Sequence, residues 1–164
     1  MQQHHIAIWL KSACILAAVL GVVVFFIAAP WLAETSALAF PAFRYLKWPG
    51  LVWVWGIAVL CYLALWRFWG VCSRIAADRS FSQENAQAML HIARLLWASA
   101  GMSLVLAIVL YTLKLISAQV LGRGNLWMLL LLVFMFSGIA LLSQALGLLV
   151  HKAANLQADQ DLTI

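Results

Sequence analysis

Apolar residues run through this chain in four long blocks, and each break between blocks is marked by charge. No Asp, Glu, Lys or Arg occurs for about 22 residues between Lys11 and Glu34, about 19 between Lys47 and Arg67, about 19 between Arg94 and Lys114, and about 28 between Arg123 and Lys152. At 1.5 Å per residue, about 20 helical residues cross the hydrocarbon of a bilayer. The blocks therefore predict membrane-crossing helices at about 8–30, 49–69, 93–116 and 126–150, the last long enough to tilt or project. The expected fold is all-α: a polytopic membrane protein with four transmembrane helices in an up-and-down bundle. It forms one membrane domain over 1–164, with a cytoplasmic loop at 71–92 and a cytoplasmic tail at 151–164.

Composition agrees with the pattern. The 164 residues are 66% hydrophobic and 9% charged, with a mean hydropathy of +1.01, against about 25% charge in a soluble domain. The first apolar run, Ser12 to Ala29, exceeds the roughly 7–15 residues of a signal h-region, and Pro30 follows Ala28 and Ala29, so this block reads as a retained span. A net charge of +5 and a pI near 9.5 would suggest nucleic acid in a soluble protein. Here the bases flank span ends, where they meet lipid phosphates, and direct nucleic-acid binding is not expected. Counting Lys11, Arg67, Arg74, Arg79, Arg94 and Lys152 against Arg44, Lys47, Lys114 and Arg123 gives six to four. That bias predicts that both termini are cytoplasmic. Cys14, Cys61 and Cys72 lack any CxxC spacing and predict neither a disulfide nor a zinc site.

The connections differ in character. The first outer one, from about Trp31 to Gly50, carries Phe40, Phe43, Tyr45 and Trp48 with Pro41 and Pro49, a mixture suited to the headgroup zone. The second, Ala118 to Asn125, holds Gly122 and Gly124 and reads as a tight turn, making spans three and four antiparallel neighbours. Between spans two and three, a turn is followed by a helix. Ser82 suits its N-cap, Glu84 complements the positive helix end, and Met89, Leu90 and Ile92 continue an apolar stripe into the span. Small residues at Ala13, Ala17 and Gly21, and at Ser99, Ser103 and Ala107, mark expected packing seams. In span four, Ser137 and Gln144 lie seven apart, and Gln144 is the most polar side chain of that charge-free stretch. The tail after Lys152 reads as a frayed terminus.

Catalytic chemistry finds little footing. His4, His5, His91 and His151 fall at helix ends near one membrane face, whereas a haem wants ligands inside a bundle. No intramembrane ion pair or paired carboxylate occurs, and no HExxH, GxSxG or phosphate loop. Ser99 and Ser103 have no activating base at similar depth. Neither an enzymatic activity nor a cofactor is expected.

Two polar segments carry a resemblance: Phe81-Ser82-Gln83-Glu84-Asn85 before span three, and Gln160-Asp161-Leu162-Thr163-Ile164 at the end. With four spans in this order, the chain resembles the bacterial membrane family catalogued as domain of unknown function 2975. That resemblance implies an uncharacterised membrane protein, often encoded beside a small helix-turn-helix transcription regulator. The leading expectation is accordingly a non-enzymatic scaffold or regulator. Its cytoplasmic face, through Arg79, Phe81, Ser82, Glu84, Asp159, Asp161, Leu162, Thr163 and Ile164, would engage a soluble partner such as that regulator. The alternative is a small-molecule carrier or sensor working as a homo-oligomer, with Ser103, Ser137, Gln144 and Tyr111 lining the site. A haem or quinone electron carrier is a third.

Overall fold

The computed structural model describes residues 2–39, 41–77, 82–117 and 123–161, and these are helical almost throughout, with no strand among them. In order they form α1 (Gln2–Val22), a π-helical stretch (Val23–Ala28), α2 (Ala29–Ala39), a 3-10 helix (Pro41–Leu46), α3 (Lys47–Ala76), α4 (Gln83–Ser117) and α5 (Arg123–Asp161). Four helical stretches are long and apolar enough to cross a membrane: Ile8–Leu38, Arg44–Ala76, Gln83–Leu113 and Leu129–Leu156.

Packing is inverted relative to a water-soluble bundle. The buried positions are mostly small: Ala58, Ala64, Ala86, Ala93, Ala100, Ala107 and Ala140, with Ser99 and Ser103 fully enclosed. The large side chains point outward, among them Trp66 at 81% exposure and Phe134 at 77%. Lipid tails solvate Leu and Trp as well as a protein core does, so no hydrophobic force draws them inward. Close backbone approach through small residues is what holds such helices together. The chain is thus a membrane protein of four crossing helices.

α1 continues through the π-helical stretch into α2 as one span, and the interruption has a local cause. Pro30 lacks an N–H and its ring clashes with the carbonyl four residues earlier, so a strict α-helix cannot run through it. The turn before it widens: the Ala29 N–H bonds to the Val24 carbonyl, five residues back. In that register the Phe25 carbonyl would accept from residue 30, which is proline. It is satisfied instead from the neighbouring helix, where the Trp55 indole N–H donates to it at 3.2 Å. Phe26 stacks on the same ring at 6.2 Å between centroids.

The same device recurs along the bundle. The Tyr62 hydroxyl donates to the Ala18 carbonyl at 2.9 Å, and the Trp53 indole donates to the Met102 carbonyl at 3.0 Å. Three aromatic donors on α3 therefore clamp it to α1 on one side and α4 on the other. In hydrocarbon, where no water competes, such bonds fix helix register.

Two expectations are corrected, for the seam of α1 and for the tail. In α1 the seam against α3 runs through Cys14, Ala18 and Gly21, while Ala13 and Ala17 face outward. With Lys11 and Phe25, these positions alternate three and four apart, the spacing of shallowly crossing helices, rather than strictly every fourth. The seam of Ser99, Ser103 and Ala107 does face inward. The first outer connection is helical through Ala39 and again from Pro41. The tail, read as frayed, continues α5 to Asp161 because contacts with α4 support it well past the span. The three cysteines are free thiols.

Candidate functional site

The bundle end that carries both chain termini gathers the polar side chains, and the α4–α5 register explains how. Gly147 sits so close to α4 that a Cβ there would lie 3.2 Å from Met89 and Leu90. Ala140 shares a core cluster with Ala64, Ile92 and Leu96. This antiparallel pairing puts Gln144 beside the Leu90–Arg94 turn, level with Arg67 on α3. Lys11 of α1 stacks over the Trp69 ring at 5.6 Å, within a turn of the same height. Lys11, Arg67, Arg94 and Gln144 thus form one polar layer. About 20 residues separate Arg123 from Gln144, the same apolar length as in spans two and three. Its side chain is exposed on α5 rather than turned into the bundle.

Beyond this layer the helices go on. α5 runs from Gln144 to Asp161, roughly 25 Å at 1.5 Å per residue, alongside the end of α3 and the start of α4. Ser82 begins α4 as the cap its sequence suggests: its Oγ accepts from the Asn85 N–H at 3.2 Å and its carbonyl from the Asn85 and Ala86 amides. Glu84 forms an ion pair with Arg74 at 3.2 Å, tying the first turn of α4 to the last of α3. Arg74 Nη1 also donates to Oδ1 of the buried Asn85 at 3.3 Å. The Ser82→Ala variant is expected to lose about 1 kcal/mol of stability, read as earlier unfolding in detergent and faster amide exchange at Asn85.

A second pair of contacts reaches across to α5. Gln83 Nε2 donates to Asn155 Oδ1 at 2.5 Å. Its Oε1 lies 2.6 Å from His151 Nδ1, a contact in which the ring nitrogen donates in the Nδ1–H tautomer. One glutamine, just inside α4, thereby bonds two α5 side chains that are four residues apart. The start of α4 and the extended end of α5 become one latched surface. Its outward flank keeps Leu149 and Leu156 about 60% exposed.

Of the residues singled out for partner binding, Ser82 and Glu84 lie in this cluster, and Asp159 and Asp161 fall on the last turns of α5. Arg79, Phe81, Leu162, Thr163 and Ile164 lie outside the described residues. Gln83 and Asn85 stood in the Phe81–Asn85 motif without a role of their own, Arg74 stood only among the bases of the loop, and neither Asn155 nor His151 was singled out as a structural partner. A usable signal existed: His151 and Asn155 are polar and four apart on a helix just past its apolar run, as are Gln83 and Gln87 on α4.

The intramembrane polar set does not converge. Ser103 is enclosed and donates to the Ser99 carbonyl within its own helix at 2.9 Å, Ser137 is half-buried, and Gln144 and Tyr111 are exposed. Of the histidines whose side chains are described, His91 has its Nδ1 3.2 Å from the Gln87 carbonyl of its own helix, while His151 meets Gln83.

Residues 31–164 match the family model described as protein of unknown function (DUF2975), and the chain belongs to that family. No curated protein and no solved structure matches it.

Proposed function

We propose that this DUF2975 protein is a non-enzymatic membrane scaffold or regulator, whose terminus-bearing end faces the cytoplasm and holds a soluble protein against the membrane. One observation carries the reading. The Gln83 latch joins two segments far apart in sequence into a single helical surface, and the outward flank of that surface leaves Leu149 and Leu156 exposed. Exposed leucines in water are costly, about 25 cal/mol for each Å² of apolar surface, and a partner's apolar face would relieve that cost. Glu84 and Lys152, both exposed, add charges of opposite sign at this end. The partner class that the family resemblance implies is a helix-turn-helix transcription regulator.

The test is retention of such a regulator, produced together with the protein, on isolated membranes. It is expected to sediment with wild-type membranes. The Leu156→Glu variant, or deletion of residues 159–164, is expected to release it while insertion stays unchanged. A regulator that remains equally membrane-bound with both changes overturns the reading.

A further inference from the structure

At the opposite end of the bundle the helices part. The first span packs on α3, and among the described residues no close backbone approach links it to α4 or α5. The space left is a cleft of about 310 Å³, walled by Val24 and Ala33 from the first span, Gly50 from α3, Leu106 from α4 and Leu132 from α5. It runs from mid-span up to Lys47, which borders it at the headgroup end. A cleft with such walls, at hydrocarbon depth, has nothing to offer water. An alkyl chain matches its walls.

The headgroup end is not neutral. Lys47 Nζ pairs with Glu34 at 3.1 Å and lies 5.7 Å from the Trp48 ring centre. Arg44, one turn earlier, is exposed. A paired cation and carboxylate therefore border the mouth of an apolar cleft, with the exposed Arg44 three residues before Lys47 adding a second positive charge nearby in the chain, a pattern that complements an amphiphile with an anionic head. We propose that the cleft is a seat for one acyl chain of an anionic phospholipid, whose phosphate is held by Lys47 and Arg44.

Three substitutions separate this from ordinary lipid around the bundle. A Cβ on Gly50 would meet nothing within 4 Å, so Gly50→Leu starts its side chain in open space on the cleft wall and replaces a poor helix former. Lys47→Gln removes a cation; Glu34→Gln releases Lys47 from its internal partner. The measurement is native mass spectrometry of the purified full chain titrated with phosphatidylglycerol or phosphatidylcholine of identical chains. Gly50→Leu is expected to abolish the tightest-bound lipid of either kind with thermal unfolding unchanged. Lys47→Gln should lower the preference for phosphatidylglycerol about five-fold, and Glu34→Gln should raise it by a similar factor. Inorganic phosphate should not compete. Undiminished lipid retention by Gly50→Leu, or a headgroup preference indifferent to both charge changes, overturns the proposal.

Discussion

Replacing Trp55 with Phe is expected to destabilise the bundle by about 1–3 kcal/mol, the cost of leaving a desolvated carbonyl without a donor. The ring's apolar bulk is largely kept, so the loss isolates the indole N–H that serves the Phe25 carbonyl at 3.2 Å. That carbonyl depends on Trp55 because its alternative donor would come from residue 30, a proline. The two residues should therefore be energetically coupled. In a Pro30→Ala background the first span can supply its own N–H, and Trp55→Phe is expected to cost well under half as much. Reversible unfolding of the four proteins of this cycle in mixed micelles measures the difference. Equal costs in the two backgrounds would show that the proline and the indole are independent, and would leave the π-helical stretch without its stated cause.

The second large effect is expected at Gly147. Its Cα faces α4 so closely that even a Cβ would stand 3.2 Å from Met89 Cβ and from Leu90 Cγ and Cδ2. Alanine asks Leu90 to turn aside by a few tenths of an ångström. Leucine cannot be placed without separating the helices, and Gly147→Leu is expected to lose roughly 1–3 kcal/mol or more. The Gln83 contacts to His151 and Asn155 lie one to two turns further along the same interface. Separation at residue 147 should loosen them as well, releasing any protein held at that end even in molecules that still insert. Gly101 and Gly138, where an added Cβ would meet nothing within 4 Å, are the controls: alanine there should change neither unfolding nor retention.

Much of this architecture could be read along the chain, because hydrocarbon imposes a rule that is local. A peptide group there must find its partner inside its own helix, so uncharged length alone announces each crossing. The Ser82 cap is equally local: its hydroxyl serves an amide three residues on, and neighbours suffice to predict it. The site yielded in part. Glu84 was legible as a helix-start carboxylate, but Arg74 as its partner required knowing how α3 turns into α4.

Where side chains face and at what height they stand was not legible, and Gln144 shows why. Counted along the chain it sits deep in a stretch without charge, yet the antiparallel docking of α5 on α4 sets it level with Arg94 and Arg67. Depth is a property of the assembled helices, not of distance from the nearest charge. The seam of α1 was misplaced by one residue for the same reason, since the α3 ring donors choose which carbonyls to meet. The Gln83 latch and the lipid-sized cleft are likewise products of docking. The number of crossings and the α4 cap are local consequences of peptide desolvation. The latched surface, the cleft and the clamping aromatics exist only because separate helices come together at one register, with small residues admitting the close approach.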